Sequence, residues 1–331
     1  MELINGVDRL PGHARPLYLA LGNFDGVHRG HQAIIQTAVI KAQRAKGFSA
    51  ALVFDPHPLI ALQTEKPPVL LTDIADRAEI MAELGLDYMI VQPFNREIAS
   101  FSPEQFVRRI LKGELNTREV FIGADYSFGR HGAGSADTLR YWGKEMGFSV
   151  EVSPMLKFEG SEVSSSIIRS LLLAGKVNEA ADLLRYYFFR QGKVIRGYGI
   201  GKKMVYPTAN IAANPRLLWP GKGVYFTAVG KLNGDLLYGV TNVGSRPTFS
   251  HYDIAVETHI IGFQNSIYNK EIRLCFLEKL RDTRMFASPD QLKNQIARDI
   301  ELSKSLIGKF KQEKNGSGNS LQAGCSVLRS Q

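Results

Sequence analysis

Residues 17–32 read LYLALGNFDGVHRGHQ, and this stretch decides the fold class of the first half of the chain. Residues 17–21 are apolar, as in a strand buried on both faces, and the run breaks at Gly22. A helical pattern follows from about Gly30 to Lys46. A buried strand that leads directly into a helix is typical of a parallel sheet covered by helices, in which ligands bind at the carboxyl ends of the strands.

The same alternation of strand and helix patterns continues to about residue 184. Further strands are predicted at residues 49–54, 87–91, 119–122 and 148–152. Further helices are predicted at residues 73–84, 103–112, 137–146, 165–174 and 177–184. Ser-Pro-Glu-Gln at 102–105 is a capping box with proline at the first helical position. These elements predict a doubly wound, Rossmann-like α/β domain.

After about residue 184 the pattern changes to strand-like runs rich in Gly, Tyr, Val and Thr. These runs are residues 191–195, 224–231, 236–243, 254–261 and 271–276. Asn233-Gly234 lies between two of them as a hairpin signal, and we predict a small antiparallel barrel. A second capping-box sequence at 288–291 begins a helix that is predicted to end at about Phe310.

The length of 331 residues corresponds to about two domains. We predict an N-terminal domain at residues 1–184 and a C-terminal domain at residues 185–311. The last segment, residues 312–331, has no apolar period and is predicted to be a disordered tail.

The composition is that of a folded, basic protein. Apolar residues make up 44% of the chain, and 41 Lys and Arg against 32 Asp and Glu give a net charge of +9. This charge suits a phosphorylated metabolite, a nucleic acid or a membrane surface, and does not choose among them. No apolar run approaches the roughly 20 residues that span a bilayer, and the first residues do not show a basic segment followed by an apolar one. Cys275 and Cys325 make no metal-binding spacing, and we predict a cytoplasmic location.

His28 and His31 lie three positions apart at the start of the first helix, so both face one side of its first turn. Gly30 between them lets a ligand approach the backbone closely. The N-terminus of a helix favours phosphate, and two imidazoles there can stabilise charge on an α-phosphorus under attack. Taken alone, HxGH is equally consistent with two surface histidines beside a turn.

A second motif, Ser-Ser-Ser-Ile-Ile-Arg at 164–169, opens another predicted helix. Its hydroxyls can cap the helix, and Arg169 can hold a phosphate with two hydrogen bonds. Alone, it is equally consistent with a serine cap and a surface arginine. HxGH followed by SSxxIR about 140 positions later is the paired arrangement of the nucleotidylyltransferase superfamily, and the pair is far more specific than either part.

The chain resembles the family of prokaryotic bifunctional riboflavin kinase/FAD synthetases. The matching stretches occur in the family's order: GNFDGVHRGHQ (22–32), FDPHP (54–58), GADYSFGRHGAG (123–134), SSSIIRSLLLAGKVNEA (164–180), YPTANI (206–211), GVYF (223–226), NVGSRPTF (242–249) and VETH (256–259). The resemblance covers about residues 15–310. It implies an N-terminal FMN adenylyltransferase domain of nucleotidylyltransferase type. It also implies a C-terminal riboflavin kinase domain, a six-stranded antiparallel barrel with a C-terminal helix.

The resemblance implies two sets of residues in the first domain. The residues that would bind ATP are Asn23, His28, Gly30, His31, Asp125, Ser164 and Arg169, with His28, His31 and Arg169 catalytic. The residues that would shape the flavin side are Phe54, Pro56, His57 and Pro58. A strand end and a turn explain Phe54 and Pro58 equally well.

For the second domain, the resemblance implies that Thr208 and Asn210 hold Mg²⁺ and ATP phosphates, and that Lys202 also binds ATP. Glu257 would be the general base for the 5′-hydroxyl of riboflavin, and Arg246 would lie in a flap over the flavin. Thr208 and Asn210 alternate onto one face of an extended segment, and their oxygens suit a hard cation. Without the resemblance, a strand threonine and a surface glutamate explain the same residues.

The departures from the family pattern lie in or next to the second domain. LLGRPY of the family is replaced by a stretch with Arg185, Tyr186 and Tyr187. Lys202 replaces an arginine and loses its planar fork, and Val205 replaces a glycine beside the expected phosphate site. The alternative function is therefore an FMN adenylyltransferase with a weakened or inactive kinase barrel.

Two other classes of protein share single features with this chain. A class I aminoacyl-tRNA synthetase shares HxGH, but its KMSKS-like loop is missing. A basic nucleic-acid-binding protein fits the charge, but the chain has neither an RNP-like aromatic pattern nor zinc spacing. The expected partners are small-molecule substrates (ATP, riboflavin and FMN, with FAD as product), with Mg²⁺ as cofactor. We expect no nucleic acid, no membrane, and at most a weak homo-oligomer.

Overall fold

The structure is a computed structural model that describes residues 1–196, 206–232, 235–245 and 254–317. Several predicted features lie outside these ranges, namely Lys202, Val205, Arg246 and the hairpin turn Asn233-Gly234. The chain divides into two units, Met1–Ser165 and Ser166–Gln331. The domain boundary placed at residue 184 on sequence grounds stays a prediction.

The first unit is built on one parallel sheet. Its strands are β1 (Glu2–Asn5), β2 (Leu17–Leu21), β3 (Phe48–Asp55), β4 (Tyr88–Pro93), β5 (Thr117–Gly123) and β6 (Ser149–Ser153). They lie in the order β1-β4-β3-β2-β5-β6, and every neighbouring pair is parallel. The predicted Rossmann-like sheet is confirmed. Sequence analysis missed β1, a short edge strand with mostly exposed side chains.

The helices of the first unit connect these strands. They are α1 (Arg29–Arg44), α2 (Pro58–Ala61), α3 (Ile74–Glu83), α4 (Arg96–Ser100), α5 (Pro103–Phe106), a π-helix (Val107–Glu114) and α6 (Ala136–Met146). A small hairpin of β7 (Lys157–Phe158) and β8 (Ser161–Glu162) follows β6. The first capping box is confirmed, since Ser102 and Gln105 exchange both of its hydrogen bonds at 3.1 and 2.9 Å.

The strand order reverses between β2 and β5. From β2 the chain proceeds to β3 and β4 on one side, and it later crosses to β5 and β6 on the other. All five residues of β2 are buried, because sheet neighbours and helices cover the strand. In open parallel sheets, the crevice at such a reversal is where ligands bind. We therefore expect a ligand site at the carboxyl ends of β2 and β5.

The second unit is a closed barrel with helices. Its helices are α7 (Ser165–Leu173), α8 (Val177–Leu184) and α9 (Pro289–Ser317). Its strands are β9 (Phe189–Ile195), β10 (Ala209–Ile211), β11 (Gly223–Leu232), β12 (Asp235–Ser245), β13 (Ile254–Ile260) and β14 (Glu271–Arg281). The barrel order is β10-β13-β12-β11-β14-β9, and all the pairs are antiparallel. The predicted six-stranded barrel is confirmed.

The barrel interior contains a row of hydroxyl groups. Thr227, Thr241 and Thr258 lie on neighbouring strands and are fully buried. The Thr241 hydroxyl is 2.8 Å from those of Thr227 and Thr258. Buried hydroxyls that satisfy one another avoid the cost of an unpaired polar group. Residues that alternate with this row point away from the interior.

The last helix begins as predicted but is capped differently and is longer. The N–H of Gln291 donates to the Ser288 hydroxyl at 3.3 Å, while the Gln291 side chain accepts from Ala287 instead of Ser288. The capping box is therefore only half formed. Helix α9 runs to Ser317, past the predicted end at Phe310, and residues 318–331 lie outside the described ranges. In the described part of the chain, no helix is both long and apolar enough to cross a membrane.

Arg281 of β14 and Asp299 of α9 form a bidentate ion pair. Arg281 Nε and Nη2 lie 3.0 and 2.7 Å from the Asp299 carboxylate, and Gln295 donates to the same carboxylate at 2.8 Å. Asp299 is buried and Arg281 is largely covered. A planar guanidinium that meets a buried carboxylate in this way fixes the direction of α9 on the barrel.

We expect Asp299→Ala to lower the free energy of unfolding of the barrel unit by about 3 kcal/mol, because Arg281 loses its carboxylate while it stays covered. Urea unfolding of the full chain measures this loss through the fluorescence of the buried Trp219, in a Trp142→Phe background. The control is Glu301→Ala, which removes the exposed pair with Lys304 and is expected to cost at most about 0.5 kcal/mol. Equal losses for the two variants would contradict the role of the pair.

Candidate active sites

The β2–α1 loop, residues 22–28, leaves the carboxyl end of β2 in an unusual conformation. Phe24, Gly26 and Val27 have positive φ angles of 50°, 80° and 35°. At a residue other than glycine this costs about 1–3 kcal/mol and persists where surrounding contacts hold it. Phe24 and Val27 are buried, so packing supplies part of that restraint.

Hydrogen bonds to Asp25 supply the rest. Its carboxylate, only 3% exposed, accepts the backbone N–H groups of Leu71 at 2.9 Å and Thr72 at 3.0 Å. The Thr72 hydroxyl also lies 3.2 Å from this carboxylate and accepts the N–H of Gly26 at 2.8 Å. The Ser165 hydroxyl donates to the backbone carbonyl of Asp25 at 2.8 Å. Three segments that are far apart in sequence thus meet at one buried carboxylate.

Asn23, a predicted ATP contact, is half-buried at the start of this loop. Its backbone carbonyl accepts a hydrogen bond at 2.8 Å from Nη1 of Arg77, a buried residue of α3. The loop is therefore held at Asn23 as well as at Asp25.

The two predicted histidines are in contact. Nδ1 of His28, the N-cap of α1, accepts the N–H of His31 at 3.4 Å, and the rings stack with centroids 3.6 Å apart. The Phe24 ring meets His31 edge-on at 5.3 Å. Burial, with the charges of His28 and Arg77, holds the pKa of His31 well below its usual value. The His31 imidazole is therefore neutral near pH 7, with one N–H to donate.

The same helix start is suited to an anion. Nδ1 of His31 is buried and has no hydrogen-bond partner in the part of the chain that the structure describes. Gly30 keeps the ring of His28 close, because a Cβ there would lie 3.3 Å from Cε1 of His28. The first turn of α1 also presents backbone N–H groups and the positive end of the helix dipole. A phosphate group fits this combination.

Asp125 follows β5, the strand next to β2, so it lies at the same sheet edge as the histidines. Its side chain is exposed, and a Cβ at Gly123 would come within 2.9 Å of its carboxylate. Phe128 and Gly134 close the loop with two backbone hydrogen bonds of 3.1 and 2.8 Å. Burial raises the pKa of Tyr126, which stacks on Phe128, so its phenol stays protonated.

The predicted flavin-side residues lie at the carboxyl end of β3. The Asp55–Pro56 peptide bond is cis, and the buried His57 accepts a backbone N–H of α2 at 3.2 Å. Pro58 is the first residue of α2. Phe54 is half-buried against the apolar core of the sheet. Since β3 neighbours β2, these residues share the edge that carries the histidines, and their flavin contacts stay predictions.

The two predicted residues of the SSxxIR motif fall in different units. Ser164 is half-buried and directly precedes Ser165, whose hydroxyl bonds Asp25. Arg169 lies on α7 in the second unit. Their roles on ATP stay predictions.

The second unit presents a polar row on the outer face of its barrel. Asn210 of β10 and Asn242 of β12 are the cross-strand partners of Glu257 on β13. All three are half-buried, and their neighbours along each strand are buried. None of the three side chains forms a hydrogen bond within the described residues. A carboxylate between two amides is thus available to a ligand.

Thr208 precedes β10 and is fixed beside this row. Nδ1 of His259 donates to the carbonyl of Pro207 at 2.9 Å, and the rings of Tyr206 and His259 meet edge-on at 5.5 Å. The hydroxyl of Thr208 and the amide oxygen of Asn210 are the ligands that Mg²⁺ takes alongside phosphate oxygens and water. Within the described ranges, no three His, Cys, Asp or Glu side chains form a metal cluster. The two oxygen donors of Thr208 and Asn210 fit a magnesium ion whose other ligands are phosphate oxygens and water.

Sequence analysis missed several residues that build these sites. Asp25, Ser165 and Asn242 belong to the quoted motifs, but a motif does not separate a residue that holds a loop from one that contacts substrate. The sequence contains one indication of the role of Arg77. It lies three positions before Ile80 and four before Met81, and so on the buried face of α3. An arginine at that spacing is unusual for a helix face that packs on a core.

Comparisons with known proteins find relatives of both halves of the chain. A sequence model of FAD synthetase matches residues 10–167, and one of riboflavin kinase matches residues 184–307. A bifunctional riboflavin kinase/FMN adenylyltransferase of Escherichia coli (strain K12) is 32% identical over 93% of this chain and 98% of that protein. The Pseudomonas fluorescens protein of the same name is 33% identical over 92% and 98%.

A solved structure is also similar. It is described as a macrolide-efflux protein from Streptococcus pneumoniae and has a TM-score of 0.83 at 27% identity, covering 91% of this chain and 98% of that one. The two domain matches and the nearly full-length relatives lead to one conclusion: the chain belongs to the bifunctional riboflavin kinase/FMN adenylyltransferase family.

Proposed function

We propose that this chain makes FAD in two steps. Riboflavin and ATP give FMN and ADP on the barrel unit, and FMN and a second ATP give FAD and pyrophosphate on the parallel-sheet unit. One observation carries the proposal: each unit has its own polar site, and the two sites differ in chemistry. The stacked histidines at the start of α1 suit a triphosphate, while the Asn210–Glu257–Asn242 row suits an alcohol and its phosphoryl donor.

In the adenylyltransferase step, an FMN phosphate oxygen attacks the α-phosphorus of ATP and pyrophosphate leaves. No covalent enzyme intermediate is needed. His28 and His31 would donate hydrogen bonds to phosphate oxygens, and the start of α1 would stabilise the charge that develops there. A neutral His31 serves this purpose, because its ring can donate one N–H without titrating near pH 7. Ser164 and Arg169 would bind the rest of the triphosphate, and Asp125 would face the adenosine.

In the kinase step, Glu257 would accept the proton of the riboflavin 5′-hydroxyl as that oxygen attacks the γ-phosphorus. Thr208 and Asn210 would hold Mg²⁺, which screens the phosphate charge when bound. Asn242 lies where it can orient the hydroxyl or the base. Lys202 and Arg246 keep the ATP and flavin roles that the family resemblance implies. Catalysis in both steps would come from positioning and charge stabilisation.

We infer that Mg²⁺ serves both steps, that the partners are the small-molecule substrates alone, and that neither nucleic acid nor a membrane takes part. The net charge of +9 fits substrates that carry phosphate groups. A cytoplasmic location and a weak homo-oligomer complete the proposal.

One feature favours the alternative of a weakened kinase. Arg185 follows α8 in the left-handed conformation, with φ of 61°, where the family pattern has glycine. A side chain there costs about 1–2 kcal/mol relative to glycine. This conformational strain lies at Arg185, before the first barrel strand, and does not involve Glu257 or Asn210. The two-step function therefore remains the better supported one.

We expect His31→Gln to lower kcat for FMN adenylylation by about 10²–10³-fold, as loss of a donor to a developing charge does elsewhere. Phosphorylation of riboflavin by the same variant should stay within about twofold of wild type, because the barrel unit is unchanged. Chromatographic assays with riboflavin or FMN as sole flavin measure both rates. The matched control is His13→Gln, whose exposed ring is outside the loop. An equal loss in both reactions would contradict the assignment.

Glu257→Gln should have the opposite pattern. Loss of a general base costs about 10²–10⁴-fold, so kcat for riboflavin phosphorylation should fall by that factor while FMN adenylylation is retained. The control is Glu271→Gln, an exposed residue at the start of β14. Kinase activity of Glu257→Gln within threefold of wild type would remove the general base from the mechanism.

A further inference from the structure

Arg77 is buried behind the β2–α1 loop, and no described residue forms an ion pair with it. Its side chain is 1% exposed. Nη1 donates to the carbonyl of Asn23 at 2.8 Å, and Nε donates to the carbonyl of Asp73 at 3.3 Å. No carboxylate lies within 4 Å of its guanidinium among the described residues. A permanently charged side chain is thus buried to bind two backbone carbonyls, one of them in the loop.

Four aspartates surround the buried guanidinium of Arg77 at a distance. Burial lowers the pKa of Arg77 from its usual value, and the charges of Asp25, Asp55, Asp73 and Asp76 offset part of that effect from a distance. Asp25 already accepts hydrogen bonds from the backbone of Leu71 and Thr72, and Asp73 caps α3. The carboxylates of Asp25 and Asp73 therefore have hydrogen-bond partners of their own, and they offset the charge of Arg77 without forming an ion pair with it.

Arg77 bonds the loop on one side of the candidate site and interacts electrostatically, at a distance, with Asp55 on the other. Asn23 begins the loop that leads to His28 and His31, and Asp55 ends β3 on the predicted flavin side. The positive charge of Arg77 also acts on His31, where it disfavours the imidazolium form. One buried side chain therefore fixes the backbone of the loop and contributes to the electrostatics of its histidine.

We propose that Arg77 is a positioning residue for adenylyl transfer, which holds the carbonyl of Asn23 so that the β2–α1 loop keeps His28 and His31 where they stabilise the charge that develops on the transferred phosphate. This inference rests on the proposed adenylyltransferase function. Of the basic side chains, arginine suits this role best, because its planar guanidinium stays charged when buried and can donate to the carbonyls of Asn23 and Asp73 together. Arg77 acts through the loop and is distinct from the residues assigned to the substrate.

Arg77→Met and Arg77→Lys in the full chain test the proposal. For FMN adenylylation with ATP varied, we expect Arg77→Met to lower kcat by at least tenfold while KM for ATP changes less than threefold. Arg77→Lys should restore part of that loss, because a charge and one donor remain. Arg44→Met, an exposed arginine at the end of α1, is the matched control. Riboflavin phosphorylation in every variant should stay within twofold of wild type.

A second readout separates positioning from a general effect on folding. Of the seven histidines, His31 is assigned in imidazole NMR spectra by the signal that His31→Gln removes. In Arg77→Met the pKa of His31 should rise, because a nearby positive charge is gone, and in Arg77→Lys it should stay close to wild type. If Arg77→Met keeps kcat within twofold of wild type, the proposal is wrong.

Two other results are informative. If Arg77→Met and Arg77→Lys lose adenylylation equally and both lose the dispersed histidine signals of the folded unit, Arg77 has a structural role only and the proposal is overturned. If the wild-type protein makes no FAD from FMN, the proposed adenylyltransferase function is wrong, and the proposal for Arg77 is rejected with it. This outcome differs from a loss of activity that is confined to the Arg77 variants.

Discussion

The buried carboxylate of Asp25 is the constraint around which the first unit arranges its site. A charge that is 3% exposed needs hydrogen bonds, and the backbone of Leu71 and Thr72 supplies them. Because Ser165 also bonds the Asp25 carbonyl, three chain segments must be in place before the β2–α1 loop has its shape. The positive φ angles at Phe24 and Val27 persist because these contacts hold them.

The candidate sites of the two units place their polar groups on different structural elements. The parallel-sheet unit uses the end of a buried strand, the start of a helix and two stacked imidazoles. The barrel unit uses a row of amide and carboxylate groups across three antiparallel strands, with the hydrophobic and hydroxyl side chains turned inward. Both proposed reactions transfer a phosphorus group to an oxygen nucleophile. In the proposed mechanism, catalysis in each unit comes mainly from rigid placement of hydrogen-bond donors and acceptors.

The sequence predicted the architecture because its apolar periods match the elements. The buried run of β2 with the helix pattern after it predicted the parallel sheet, and the runs rich in Gly, Tyr, Val and Thr after residue 184 predicted the antiparallel barrel. The edge strand β1 was missed because its side chains are mostly exposed, and the three-residue β10 is too short for a period. The longer reach of α9 was also missed, since its final residues lack an apolar stripe.

The sites were predictable only in part. Motif residues such as His28, His31 and Glu257 carry a chemical signature in their spacing or context. Thr72 has no such signature, and Arg77 shows only an unusual position on a buried helix face, because their roles come from tertiary contacts with a loop about fifty residues earlier in the chain. Side chains that hold a backbone carbonyl leave no pattern in the sequence of the loop they hold. A structure is needed to find them.

The central claim is that one chain carries out both steps of FAD formation. It is tested most directly by incubating the wild-type protein with ATP and Mg²⁺ in two tubes, one with riboflavin and one with FMN, and resolving the flavins by chromatography. The account predicts FMN and then FAD from riboflavin, and FAD from FMN. FAD formation in the FMN tube alone would contradict the kinase half, and no product in either tube would contradict the account as a whole.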